Sequence, residues 1–232
     1  MTTSLQDAVV LVTGANGGLG REFVKQALEG GAAKVYASAR NSVEWDDARV
    51  TPLALDVTDA ASIRAAAEIA TDVTVLINNA GISSDGEPLL TASLENIRAV
   101  FEVNFFGAIE VVRAFAPALK GGALIDVHSV LSWLGLADSY SASKAAFWSA
   151  TNSFRVELAP QGTHVLGLHL GYTDTPMTAN VTAPKNDPAD VVRDAYAGLE
   201  AGEFEVLADE LSRNVKAGLA GPIEGLYGLT RP

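Results

Sequence analysis

Hydrophobic and polar positions alternate between two rhythms along the chain. Short, nearly unbroken apolar runs occur at 8–12 (AVVLV), 34–39 (KVYASA), 73–79 (VTVLINN), 122–129 (GALIDVHS) and 164–170 (HVLGLHL). Their length and content suit strands buried on both faces. Between them, apolar residues return at helical period. The stretch 21–30 (REFVKQALEG) is such a helix and stops at Gly30-Gly31, a C-cap signal. The Ala-rich stretch 57–70 offers Thr58 as N-cap, and 186–202 offers Asp187 with Pro188 at the first helical position. Strands alternating with helices predict a parallel sheet with crossover helices: an α/β, doubly wound, three-layer fold. No linker-like stretch divides 1–232, so one domain is expected. From about 178 the pattern becomes less regular. Residues 178–186 (TANVTAPKN) form the loop expected to be most mobile, 203–221 predict a short strand and a helix, and a Gly-rich tail follows.

Composition narrows the partners. Lys plus Arg number 16 against 28 Asp plus Glu, a net charge of −12, which opposes attraction to nucleic acid or to an anionic membrane. An anionic ligand must therefore be held by a local site. The absence of Cys removes disulfides and thiolate metal sites, and makes a reducing cytoplasm the expected compartment. Neither a signal-like N-terminus nor a run of about 20 apolar residues is found, so no membrane partner is expected.

The first apolar run leads into VTGANGGLG (12–20), with four glycines in nine residues. In a parallel sheet the ligand crevice lies beyond the strand carboxyl ends, where the first strand-to-helix turn can present main-chain N–H groups to a pyrophosphate. Gly14, Gly18 and Gly20 sit in that turn, where glycine permits positive φ and close approach. A bare tight turn is the alternative reading. The strict G-x-G-x-x-G spacing is absent because Phe23 stands where the third glycine would fall, and no Gly-Lys-Ser/Thr marks a P-loop. The second run ends at Arg40 with no acidic residue beside it. A guanidinium suits a ribose 2′-phosphate, which favours NADP(H) over NAD(H); a solvated surface Arg is the alternative.

Tyr140 and Lys144 stand four apart on one predicted helical face. A tyrosine of ordinary pKa, about 10, is a poor base near neutrality, and a neighbouring cation stabilises its phenolate. Three further groups converge on the same edge. Ser129 ends a strand and can donate to a substrate oxygen. Asn104 interrupts an apolar helical pattern, either as a functional amide or as one packed in the core. The small residues of 78–81 (NNAG) let main chain approach a flat ring.

Together, TGANGGLG, LDV (55–57), NNAG, Asn104, Ser129, YSASK (140–144) and LGYTDTPM (170–177) resemble the short-chain dehydrogenase/reductase family, in order from about 8 to 177. The resemblance implies a Rossmann-type fold and an NADP(H)-dependent oxidoreductase interconverting a ketone or aldehyde and its alcohol. A non-catalytic NADP(H)-binding sensor on the same fold is the alternative. It further implies that Tyr140 is the acid/base, that Lys144 holds the nicotinamide ribose and lowers the Tyr140 pKa, that Ser129 polarises the carbonyl, and that Asn104 supports a proton relay through water. The cofactor would contact Gly14, Asn16, Gly17, Gly18, Leu19 and Gly20 in the loop. It would meet Arg40 at its phosphate, Asp56 and Val57 at adenine, Asn79, Ala80 and Gly81 at ribose, and Gly171, Thr173 and Thr175 around the nicotinamide amide and phosphates.

The chain departs from the family pattern in three places. Ser129 and Tyr140 stand only 11 positions apart, with Ser132 as a second candidate donor. Leu170 replaces the usual Pro before Gly171. The ending after Met177 is unlike the common one, so the family's tetramer is not assumed, although a homo-oligomer is possible. Trp133, Leu134, Leu136, Tyr172 and Met177 either line an apolar substrate pocket or pack ordinarily. His128 and His169 lack a third ligand at metal spacing and read as hydrogen-bonded core histidines, so no metal site is expected.

Overall fold

The computed structural model describes residues 3–41, 43–84 and 86–230. Seven strands form one sheet: β1 (Val9–Thr13), β2 (Lys34–Ala39), β3 (Val50–Ala54), β4 (Val75–Asn78), β5 (Ala123–Val127), β6 (His164–His169) and β7 (Glu205–Leu207). All pairings are parallel, in the order β3-β2-β1-β4-β5-β6-β7. The order reverses between β1 and β4, so a crevice opens beyond their carboxyl ends. The helices are α1 (Gly18–Glu29), α2 (Ala60–Ile69), α3 (Leu94–Phe101), α4 (Ala108–Phe115), α5 (Asp138–Leu158), α6 (Pro188–Ala201), α7 (Glu210–Gly218) and α8 (Ile223–Tyr227).

The period-2 geometry of the strands divides the core into two layers. Val10 and Val12 face a cluster with Phe23 and Val24 of α1 and Val192 and Leu199 of α6. Leu11, between them in sequence, faces the opposite cluster with Ile63 of α2, Phe115 of α4 and Leu158 of α5. Both sheet faces are covered, which is why the central strands read as continuous apolar runs. No helix among the described residues is long and apolar enough to cross a membrane.

The expected fold class holds, with local corrections. β3 has no counterpart among the predicted runs: it is an edge strand, partly exposed, and contains Pro52, which an edge tolerates because one side lacks a partner. The cap of α2 is Asp59, not Thr58; its carboxylate accepts the Ala61 N–H, while Thr58 turns back to Asp56. Asp187 caps α6 ahead of Pro188, and Gly30 ends α1, both as expected. The tail contains the short helix α8 in place of irregular chain. The loop expected to be mobile is pinned at one end by Asn186, which bridges Thr173, donates its N–H to the Tyr172 carbonyl and accepts the Asp174 N–H.

Candidate active site

At the switch point, Gly14 and Gly18 adopt φ of 66° and 49°, the left-handed region in which a side chain is strained. Gly20 meets a different constraint: a Cβ there would stand 2.1 Å from the Gly14 carbonyl, so α1 can seat against the loop only without one. Gly17 is open, with nothing within 4 Å of where its Cβ would be. α1 begins there with no side-chain cap and no acidic residue in its first turn. An uncapped helix N-terminus behind an open glycine is the arrangement an anion needs, and it fits a dinucleotide pyrophosphate. Thr13 carries no chemical signature in the sequence beyond its place before Gly14. Its buried hydroxyl accepts the N–H groups of Asn79 (2.9 Å) and Ala80 (3.0 Å), while Asn79 Nδ2 donates to the Thr13 carbonyl. That link ties the ends of β1 and β4 together and brings Asn79, Ala80 and Gly81 beside the glycine loop.

Asn16 spans to the other side of the loop and donates to the Asn41 carbonyl. Its Oδ1 is buried without a protein partner. Arg40 is exposed at the carboxyl end of β2. Its positive charge reaches Asp56, whose carboxyl is held below its usual value chiefly by the N–H and hydroxyl of Thr58, with Arg40 adding to them. Val57 is fixed from below by Gly107, whose missing Cβ would stand 2.5 Å from the Val57 carbonyl. Leu19 packs against the core layer beneath α1.

Asn104 lies in a π-helical turn, Glu102–Gly107, between α3 and α4. Such a bulge inserts a residue into the ladder and explains why helical periodicity falters there. The Asn104 carboxamide is buried. Its Oδ1 accepts the Ile82 N–H at 2.8 Å, and its Nδ2 donates to the Ile82 carbonyl and to Ser143 Oγ. Ser143 in turn donates to the Tyr140 carbonyl, so the π turn is joined to the first turn of α5.

Tyr140 and Lys144 occupy one face of α5. Burial pushes the Tyr140 phenol up to about 12, above its ordinary value and not below it as the resemblance implied, against the lowering influence of the neighbouring Ser129 side chain. Ser132 is turned elsewhere: its Oγ accepts the Ser129 N–H in a reciprocal capping box around the 3-10 turn Val130–Ser132. That tight turn absorbs the short spacing between Ser129 and Tyr140 and makes Ser129 the hydroxyl facing the phenol. Lys144 Nζ donates to the Val127 carbonyl at 2.8 Å and lies 5.8 Å from the Tyr140 ring centroid. Burial lowers its pKa to about 8, opposed by the charge of Asp126. Asp126 was not legible as a site residue. It is fully buried on β5, bonded by Thr151 (2.6 Å) and Asn78 (3.2 Å), and burial raises its pKa to about 7.

The loop after β6 closes the site. Leu170 is buried, and its carbonyl accepts the Val130 N–H at 2.9 Å, so the departure from Pro leaves the turn anchored. The Gly171 N–H and the Asn186 amide both donate to Asp209 Oδ2, while Asp209 Oδ1 caps α7 through Ser212. Thr173 is buried, and Thr175 begins a second capping box with Thr178. A Cβ on Gly18 would stand 3.1 Å from the Thr175 side chain, so this loop meets the glycine loop directly. Asp209 was missed, although its cap spacing to Ser212 was readable.

The five candidate pocket residues divide. Trp133 and Leu134 are buried in a cluster with Leu219, Leu226 and Tyr227 of the C-terminal segment, whereas Leu136, Tyr172 and Met177 are exposed. Hydrogen bonding of the histidines is corrected for His128: neither of its ring nitrogens has a partner, and it packs on Phe147 and His169. His169 Nδ1 lies 3.4 Å from the Ser129 carbonyl.

A phenol, a hydroxyl and an amine thus share the strand edge with an open glycine loop, the layout of a dinucleotide-dependent oxidoreductase. A family model described as short chain dehydrogenase matches residues 8–186. The 1-deoxy-11-beta-hydroxypentalenate dehydrogenase of Streptomyces avermitilis is 34% identical over 202 residues, covering 78% of this chain and 74% of that protein. The NADPH-dependent 1-acyldihydroxyacetone phosphate reductase of Schizosaccharomyces pombe is 34% identical over 179 residues, covering 72% of this chain and 60% of that protein. A crystal structure of a short chain dehydrogenase from Burkholderia cenocepacia in complex with NADP matches with a TM-score of 0.91 at 40% identity, covering 97% of this chain and 98% of that one. The chain belongs to the short-chain dehydrogenase/reductase family.

Proposed function

We propose that this oxidoreductase interconverts a ketone or aldehyde with its alcohol, using NADP(H) in preference to NAD(H). The carrying observation is the placement of the Ser129 side chain beside the Tyr140 phenol at the strand edge, with Lys144 on the same helical face as Tyr140. Bound NADPH would supply the hydride that reduces the carbonyl carbon. Negative charge then grows on the carbonyl oxygen, and the Ser129 and Tyr140 hydroxyls aimed at that oxygen stabilise it. Tyr140 transfers its proton to complete the alcohol, and a phenol held near 12 is protonated and ready at neutral pH. Lys144 is assigned to the nicotinamide ribose, and its ammonium favours the phenolate left behind. Asn104, locked between Ile82 and Ser143, is assigned to hold the water through which that proton is replaced.

Cofactor preference is supported by Arg40 at the end of β2 and by the two relatives whose descriptions carry NADP or NADPH. The glycine loop, Asp56, Val57, Asn79, Ala80, Gly81, Gly171, Thr173 and Thr175 are assigned to the rest of the dinucleotide. Exposed Leu136, Tyr172 and Met177, on the two loops bordering the site, support an apolar substrate. The cysteine-free sequence supports a reducing cytoplasmic setting. The test is absorbance loss of NADPH and NADH against a panel of ketones and aldehydes, with Tyr140→Phe in parallel. Turnover by the wild type and a loss of about 10²- to 10⁴-fold in the variant, with NADPH affinity kept, is expected. Equal turnover by both enzymes refutes the assignment of Tyr140.

A further inference from the structure

Ser129 has an external support that the proton-transfer group does not explain. The serine opens a single 3-10 turn, and the ring of His169, at the end of β6, touches both ends of that turn. Its Nδ1 lies 3.4 Å from the Ser129 carbonyl, and its face stacks on Trp133 at 4.1 Å and 16°. Its other nitrogen, Nε2, lies 3.4 Å from Glu205 Oε1 on β7, an ion-pair distance with poor hydrogen-bond direction. Glu205 pairs with Lys216 of α7 at 2.7 Å, and the Lys216 ammonium sits 4.9 Å over the Trp133 ring. The contacts close a circuit from Ser129 through His169, Glu205, Lys216 and Trp133 back to the turn that Ser129 begins.

An apolar side chain could fill this space without the cost of burying an imidazole. A carbonyl oxygen only accepts, so the contact with Ser129 requires a proton on His169 Nδ1. The other charged or titratable groups nearby are His128, tilted against it at 4.9 Å, and Lys144 and Arg155, whose charges reach His128.

We propose that His169 is a positioning residue for Ser129: its imidazole donates from Nδ1 to the main chain of the serine and stacks on Trp133, which Lys216 of the C-terminal helix covers, so that the end of β6 and that helix fix where the serine hydroxyl stands against Tyr140. The proposal rests on the reading of Ser129 as the donor to the substrate carbonyl. It accounts for how so short a segment between Ser129 and Tyr140 holds its geometry, since rigidity absent from the loop is supplied from behind it.

The test combines isosteric variants with a spectrum that does not depend on activity. His169→Phe keeps the stacking and loses both polar contacts, His169→Gln places its amide where Nε2 was, and His169→Asn places its amide where Nδ1 was. Expected are kcat losses of roughly three- to tenfold in the Phe and Gln variants, recovery of most of that loss in Asn, and a substrate KM and NADPH affinity within about twofold throughout. Ser129→Ala is measured beside them. A loss in Ser129→Ala with His169→Phe unaffected overturns this proposal alone; wild-type kcat in Ser129→Ala overturns the role of Ser129 and the proposal with it. Losses that are equal in Phe, Gln and Asn and that follow thermal stability also overturn it. Nitrogen-15 spectra of the wild-type imidazoles, only three in the chain, should show a protonated Nδ1 on His169. A bare Nδ1 from pH 6 to 8 refutes the tie whatever the kinetics.

Discussion

Lys144 donates its ammonium to the carbonyl of Val127, the residue that directly follows the buried carboxyl of Asp126. Two ionisable groups therefore sit on adjoining positions of the site, each moved toward its neutral form by burial, Asp126 up to about 7 and Lys144 down to about 8. The carboxylate and the ammonium hold one another charged.

Asp126→Asn removes the negative charge that opposes loss of the Lys144 proton. The wild-type kcat/KM for carbonyl reduction should fall as pH rises through about 8, where Lys144 becomes neutral. In Asp126→Asn that limb should begin at lower pH. A pH–rate profile from 6 to 10 reads both, and coincident limbs would show that Asp126 does not set the charge of Lys144.

Arg40→Ala should separate the cofactors. A lost charge-assisted bond to a phosphate weakens NADPH by about 10- to 100-fold, while NADH, which has no 2′-phosphate, should change by less than about threefold. Titration of cofactor fluorescence measures both. Equal weakening removes the 2′-phosphate from Arg40.

The glycine loop gives a paired test. Gly17 has extended backbone and open space around its missing Cβ, so Gly17→Ala should fold with unchanged Tm yet bind NADPH far less tightly, its methyl filling the phosphate cradle. Gly20→Ala places Cβ 2.1 Å from the Gly14 carbonyl, and forcing the helix away should cost about 1–3 kcal/mol or more in stability. Thermal melts and cofactor titrations of the two variants tell cradle from scaffold. A destabilised Gly17→Ala would mean that the loop face is not open.

Much of this layout was readable because local rules and packing agree. The strands beside the switch point are buried on both faces, and α6 carries its cap and proline at the places sequence dictates. β3 was hidden because an edge strand with Pro52 needs neither a continuous apolar run nor a full hydrogen-bond ladder. Asn104 stood out as an interruption, but the π turn that produces it depends on contacts with Ile82 and Ser143 that lie 22 and 39 positions away. Asp126 was missed for the same reason, as were the loop contacts of Asp209, although its cap of α7 through Ser212 was readable. A carboxylate announces itself in sequence only through near neighbours, and these other partners come from distant strands and loops.

Glu205 predicts a pH-dependent contribution to stability. Burial raises its pKa, but His169 and Lys216 outweigh burial and bring it down to about 2. A carboxyl depressed on folding stabilises the protein above its unfolded pKa, and that stabilisation disappears as pH falls toward the folded value. Glu205→Gln should therefore lower Tm by about 2–4 °C above pH 5, with the difference shrinking below about pH 4.5. Melts from pH 8 to pH 3 test this, and a difference independent of pH would refute the ionic origin.

The carboxylate of Asp209 receives Gly171 from beyond β6, Asn186 from the connection into α6 and Ser212 from α7. One side chain therefore makes the crevice and the tail a single inheritance. A chimera that takes residues 203–230 from a relative must bring an acid to position 209, or Gly171 and Asn186 lose their shared acceptor and the rim of the crevice comes loose. Recombination between members of this family should fail when its crossover parts Gly171 and Asn186 from an acid at position 209.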